Sequence, residues 1–199
     1  MLNENFVYLA VLLSAFGGYG YIRDTLRGET APNRVTWSLW GVEGVLTFGV
    51  ELQQHVGLAA IMTLMLGLVP IAVVVASFRD PKAIWRIGRF DVVCGSFSLL
   101  GLILWALVRE PTVALVVFVC ADQLAGLPTF RKSWLAPQTE TPQAFAMGCL
   151  NCVITVLTLK HWTTAGVLFP GCIAVADLFL TLVIVLRLGP RYRGELSPA

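Results

Sequence analysis

Charge is what this sequence has least of. Asp, Glu, Lys and Arg make up 13% of its 199 residues, about half the share of an ordinary soluble domain. Histidine occurs twice, at His55 and His161, and neither HExxH nor GxSxG is present. The common zinc-hydrolase and serine-hydrolase motifs are therefore excluded. No Lys or Arg precedes Arg23, so the start lacks the basic opening of a secretory leader and none is expected. Cysteines are present but badly placed for a disulfide framework. Cys94, Cys120, Cys149, Cys152 and Cys172 all fall inside apolar runs, and the CxxC of Cys149 and Cys152 is expected to pack rather than to bind metal or cycle redox state. No cofactor, metal or nucleic-acid partner is expected.

What fills the space is hydrocarbon. Apolar residues make up 57% of the chain and the mean hydropathy is +0.77. A bilayer core about 30 Å thick needs about 20 apolar residues per helix, and runs near that length recur at 6–22, 34–52, 56–78, 91–108, 112–130, 142–159 and 165–186. The segment FRDPKAIWRIGRFD separates the third and fourth runs. Arg109, Glu110 and Pro111 separate the fourth and fifth, where proline favours a break over one long helix.

Basic residues give the orientation. With the N-terminus outside, inner segments hold Arg23, Arg27, Arg34, Arg79, Lys82, Arg86, Arg89, Arg131, Lys132, Arg187, Arg191 and Arg193, whereas outer segments hold only Arg109 and Lys160. Twelve of the 14 on one side is a strong positive-inside bias. Seven crossings, N-terminus outside and C-terminus cytoplasmic, are expected, in a bacterial inner membrane.

The chain also repeats itself weakly. Residues 18–40 read GYGYIRDTLRGETAPNRVTWSLW, and residues from Gly126 read GLPTFRKSWLAPQTETPQAFAMG. In the first copy Pro32 is expected to pre-set the opening turn of the second helix. An offset of 108 lays Arg131 on Arg23, Ser133 on Thr25, Phe145 on Trp37 and Asn151 on Glu43. Two copies that both start outside are parallel repeats, and an odd number of helices per copy requires one extra crossing between them. The expected fold is an all-α integral membrane protein: seven transmembrane helices as two parallel three-helix bundles, residues 1–78 and 111–187. Residues 79–110 supply an inner loop and linker helix, and 188–199 form a cytoplasmic tail.

This order of three, one and three helices, the outside N-terminus and the short basic first loop resemble the PQ-loop and SWEET-like superfamily of membrane transporters. In that superfamily a proline near the inner end of each repeat's first helix precedes a basic loop and a helix with aromatics, and Pro128, Thr129, Phe130, Arg131 and Lys132 are similar to it. The resemblance implies a small-solute carrier with its site between the repeats. Sugar-carrying members have an Asn in the third helix of each repeat, which neither helix 3 nor helix 7 has here, so sugar is not the expected solute.

The polar residues inside the runs are few enough to name. An ionisable side chain at mid-membrane costs about 2.5–3.5 kcal/mol on insertion scales, so such groups face the interior of a bundle. Glu43, with Trp40 and Thr47 on its helix face and Trp37 nearby, is expected to line a central site with Asn151 and Asp177 of the second repeat. Asn151 has an equal claim as a hydrogen-bonding contact between helices. Glu43, Asp122 and Asp177 are the candidates for proton coupling, since burial disfavours the charged form of a carboxyl. Pro70 and Pro170 are hinge candidates. Gly17, Gly18 and Gly20 of the first helix and Gly41 and Gly44 of the second are expected to let those two helices seal together. No enzyme motif is visible, and no Lys in helix 7 could form a retinal Schiff base. The expected activity is small-solute transport, with proton coupling as one form of it. The alternatives are a scaffold or accessory subunit and an intramembrane enzyme. Partners are the lipid bilayer, a small polar solute and, if the chain self-associates, further copies of itself.

Overall fold

The computed structural model describes residues 3, 5–53, 60–79, 85–159 and 161–195. The expectations for His55, Lys82 and Lys160, and for the start of the third run, lie outside them. Seven long helices follow in order: α1 Phe6–Leu26, α2 Arg34–Gln53, α3 Ala60–Ser77, α4 Arg89–Leu107, α5 Pro111–Leu135, α6 Pro142–Thr158 and α7 Thr164–Val185. A 3₁₀ turn at Pro137–Thr139 precedes α6, and the short α8, Leu188–Tyr192, follows α7. No strand occurs among the described residues.

Local chemistry sets the helix ends. Glu110 caps α5 by accepting from the amides of Thr112 (3.1 Å) and Val113 (2.6 Å), with Pro111 in the first turn. These amides hold its carboxyl below the ordinary range. The expected break between the fourth and fifth runs is therefore present. At α2 the cap is Asn33, whose Oδ1 accepts from Val35 and Thr36. Pro32 lies outside that cap rather than in the first turn, which corrects the expectation from sequence. Thr163 Oγ1 caps α7 from Gly166 N at 3.1 Å, and Arg187 in the left-handed region (φ 49°) turns the chain into α8.

Four helices are long and apolar enough to cross a membrane by length and composition: Phe6–Leu26, Arg89–Leu107, Thr112–Leu135 and Gly166–Val185. Their outward faces are apolar, as shown by exposed Leu12, Phe16, Phe97, Leu100, Val175 and Phe179. Such a surface is consistent with a membrane protein and would be a liability in water. Helices α2 and α6 carry buried Glu43 and Asn151, and each also has an exposed apolar face, with Val42 and Leu46 on α2 and Leu150 and Val153 on α6.

The packing order is simple. Helix α3 packs against both α1 and α2, and α7 packs against both α5 and α6. Across the bundle α1 meets α6 and α2 meets α5, while α4 lies on α5 and touches α2. Leaving α4 aside, exchanging α1, α2 and α3 for α5, α6 and α7 leaves this neighbour pattern unchanged. Two boundary pairs keep the 108-residue offset: α2 starts at Arg34 and α6 at Pro142, and α3 ends at Ser77 and α7 at Val185, while the other four pairs lie 104 to 109 residues apart.

The glycines serve other contacts than those expected. A Cβ on Gly44 would fall on the backbone of Gly67 in α3, and one on Gly41 would lie 2.8 Å from Ile71 Cγ1. Gly17 and Gly20 face Met147 and Gln143 of α6, and Gly18 faces Val69 of α3. Helices α1 and α2 thus do not seal on each other through these residues. Small residues permit close approach, but which helix approaches is decided by the order α1, α3, α2.

Candidate functional site

A cavity of about 150 Å³ opens between the two sets of three helices. Its walls draw on α1, α2, α3, α5, α6 and α7, among them Ser14, Trp37, Pro70, Phe118, Gly148 and Phe169. Among the described residues α4 contributes nothing to the lining.

Of the residues singled out from sequence, Trp37, Trp40, Glu43, Thr47, Asp122, Asp177 and Pro70 all line this cavity. Glu43 is 2% exposed. Its Oε1 accepts from Ser98 Oγ of α4 at 3.4 Å, and its Oε2 has no partner. Thr47 Oγ1, one turn further on, is likewise buried without a partner. Asp122 neighbours Glu43 across the contact of α2 with α5, and one of its oxygens accepts from Gln123 Nε2 at 2.9 Å. Asp177 lies against Gly148 of α6, where any Cβ would collide with its carboxylate. Glycine at 148 is what leaves room for that group.

Two candidates sit elsewhere. Asn151 is buried behind the wall, its Nδ2 donating to Ser14 Oγ at 2.7 Å, so it joins α6 to α1 and supports a lining residue. Pro170 lies inside α7 beside the lining residue Phe169 but does not itself line the cavity.

Aromatic rings make up much of the remaining wall. Trp37 and Trp40 meet edge to face, with centroids 5.5 Å apart. Trp37 also packs on Tyr21 at 4.4 Å, and Phe118 packs on Phe169 at 5.0 Å. The lining contains, among the described residues, three carboxyls and no Lys, Arg or His. Among the described residues no three His, Cys, Asp or Glu side chains converge closely enough to hold a metal ion.

A second polar cluster, not expected from the sequence, lies where the turn after α1 meets the turn after α5. Lys132, read from sequence as a loop charge, is wholly buried. Its Nζ pairs with Glu140 Oε1 at 2.8 Å, donates to Thr139 O at 3.0 Å and reaches Ala31 O in the other half. Tyr21 donates to Glu140 Oε2 at 2.6 Å. Thr141 bonds Asp24 Oδ2 at 2.9 Å and Thr30 Oγ1 at 2.6 Å, and Ala31 N donates to Thr139 O at 3.1 Å. One signal for it was available: Lys132 stands 108 residues after Asp24, so opposite charges occupy matching places in the two halves.

Compared with protein-family models, with curated proteins and with solved structures, the chain matches none.

Proposed function

We propose that the chain is a membrane carrier of small polar solutes, with a central site between two parallel three-helix repeats, residues 1–78 and 111–187, joined by α4. The observation that carries this reading is the cavity itself. It is walled by all six helices of the two halves, with mid-helix carboxyls from α2, α5 and α7 on its surface. Groups that costly in hydrocarbon are kept where they meet water or a solute.

The unchanged neighbour pattern on exchanging the halves and the 108-residue spacing of the α2 and α6 starts and of the α3 and α7 ends support the repeat. Parallel repeats about an axis along the membrane normal are a transporter plan, and the arrangement resembles the PQ-loop and SWEET-like superfamily. On this reading seven helices cross a bacterial inner membrane with the N-terminus outside, following the basic-residue count. The buried cluster around Lys132 then lies at the cytoplasmic end. Trp37, Trp40, Glu43, Thr47 and Asp177 contact the solute, Asn151 holds the α1 wall in place, and Glu43, Asp122 and Asp177 are the groups available to carry a coupled proton. Pro70 and Pro170 interrupt hydrogen bonding in equivalent helices, where a hinge would act.

Alternating access is the test. With the five native cysteines replaced by alanine, Ala176→Cys places one thiol in the cavity wall. Membrane-impermeant thiol reagents applied to oriented vesicles should label it from each side in turn, and conditions that speed labelling from one side should slow it from the other. Labelling from neither side, or from one side only under all conditions, would leave a scaffold as the better account.

A further inference from the structure

The solute's charge can be read from the cavity wall. We propose that this cavity takes a small organic ammonium ion, held by the faces of its aromatic rings and by the carboxyls of Glu43, Asp122 and Asp177. The inference rests on the carrier reading above and names the class of solute.

Four observations lead there. First, among the described residues the wall is acidic without any counter-charge, with three carboxyls and no basic side chain. An anion would meet three acids and no cation to balance it. A zwitterion would bring a carboxylate that no cation of the wall receives, only neutral donors such as Trp37 Nε1 and Thr47 Oγ1, so an amino acid is disfavoured as well. Second, Glu43 is buried to 2% exposure, its Oε2 meets no donor, and the neighbour with which its carboxyl can share a hydrogen bond is another acid, Asp122. A buried acceptor left open in this way points to a group supplied from outside the chain. Third, the three carboxyls do not form one cluster, although Glu43 and Asp122 are neighbours. Among the described residues no cluster fits a metal ion, whereas a polyatomic cation several ångströms across can meet groups on opposite walls.

The fourth observation decides between a hydrated inorganic ion and an organic one. Trp37, Trp40, Phe118, Phe130, Phe145 and Phe169, drawn from α2, α5, α6 and α7, line the same space. Ring faces attract alkylated ammonium ions through their quadrupoles and bury the alkyl groups at the same time. A hydrated sodium ion gains little from such a wall. Size agrees with the chemistry: about 150 Å³ is the volume of an engineered apolar cavity that binds benzene, so the solute has roughly six to eight heavy atoms. Choline is of that size, and so is a short alkylamine. The two share the ammonium group and differ in whether the nitrogen keeps hydrogens to donate.

The experiment uses the purified full chain in detergent and follows binding by tryptophan fluorescence and by thermal shift. Four probes are compared: choline, its neutral carbon isostere dimethylbutanol, butylamine and isovalerate. Choline or butylamine should bind at least about tenfold more tightly than dimethylbutanol, as a desolvated cation over a ring face and beside a carboxylate requires. Isovalerate should not bind. Preference for choline over butylamine assigns a quaternary head, and the reverse assigns a primary one. Glu43→Gln should lower affinity for the preferred ammonium ion about tenfold and leave dimethylbutanol unaffected. The wild-type comparison stands even if that variant fails to fold. Equal binding of choline and dimethylbutanol, binding of isovalerate, or no ammonium binding at all would overturn the proposal. The carrier reading fails separately, through the labelling of Ala176→Cys, so a carrier of some other solute and a protein that carries nothing give different results.

Discussion

Two buried polar regions in one bundle follow opposite rules. Where the turns meet, every charge has a partner: Lys132 has Glu140 and two carbonyls, Glu140 also has Tyr21, and Asp24 has Thr141 and Arg23. In the cavity three carboxyls share one space without a base, and Glu43 Oε2 and Thr47 Oγ1 are left open. The first arrangement is what a latch requires, since buried ions stabilise a contact only when geometry and hydrogen bonding are complete. The second leaves buried polar groups incompletely paired, a cost that a bound cation would relieve on the proposal above. Hydroxyls of Thr25, Thr129 and Ser133 are also unpartnered, but an open hydroxyl costs far less than an open charge.

The largest effect should come from breaking the latch. Lys132→Met leaves Glu140 buried beside Tyr21 with no cation, a loss of about 3–5 kcal/mol for one partner of a buried pair. It should greatly reduce recovery of monodisperse protein from detergent extracts. The double variant Lys132→Met, Glu140→Gln removes both charges, retains an acceptor for Tyr21 and should regain most of the lost thermal stability. If the double variant is no better than the single one, the two charges are uncoupled and the latch is wrong. Glu43→Gln gives the contrast, since neutralising a carboxyl that has no cationic partner should leave the melting temperature unchanged or raise it.

Much of this was legible in the sequence because few residues could have carried it. Glu43, Asp122 and Asp177 stand out in apolar runs for a physical reason, their cost in hydrocarbon, and all three line the cavity. The break at Pro111 and the helical order were readable from proline and charge. Lys132 was not, because a Lys beside an Arg just past an apolar run is ordinarily solvated. Its burial depends on Glu140 and on the carbonyl of Ala31, 101 residues away. For Asn151 the sequence left a site role and a contact between helices equally open, and its partner Ser14, 137 residues distant, gives it the second. The glycines were recognisable as contact points, yet their partners in α3 and α6 follow from the packing order, which no local pattern encodes.

Two of those glycines separate fold from site at a smaller scale. Gly44→Ala would drive a methyl group into the backbone of Gly67, where neither helix can yield without moving away from the other. Overpacking of this kind costs about 1–3 kcal/mol, so the melting temperature should fall. Gly148→Ala would instead meet the Asp177 carboxylate, the end of a side chain that can turn aside. Its stability should change by less than about 1 kcal/mol, while binding of the preferred ammonium ion weakens because Asp177 has been displaced. A Gly148→Ala protein that melts as low as Gly44→Ala would mean that position 148 serves packing rather than the cavity.

The smallest effect should come from a charge that is fully partnered yet lies in water. Glu110 caps α5 with two amide contacts, at 3.1 Å and 2.6 Å, but it is exposed at the corner between α4 and α5. If burial, and not partnering alone, makes the Lys132 cluster strong, then Glu110→Ala should lower the melting temperature at pH 7 by less than about 2 °C, since solvent replaces much of what the carboxylate supplied. The pH dependence has a definite sign. The two amides hold the folded-state carboxyl below its ordinary 4.5, so the cap contributes in full above that value and is lost as pH falls through the lowered one. The gap between parent and Glu110→Ala should therefore be present at pH 7 and close on acidification below the ordinary carboxylate range. A gap that persists in acid would show that the contribution comes from the packing of the Glu110 side chain and not from its charge. A fall as large as that of Lys132→Met would remove burial as the reason the two regions differ.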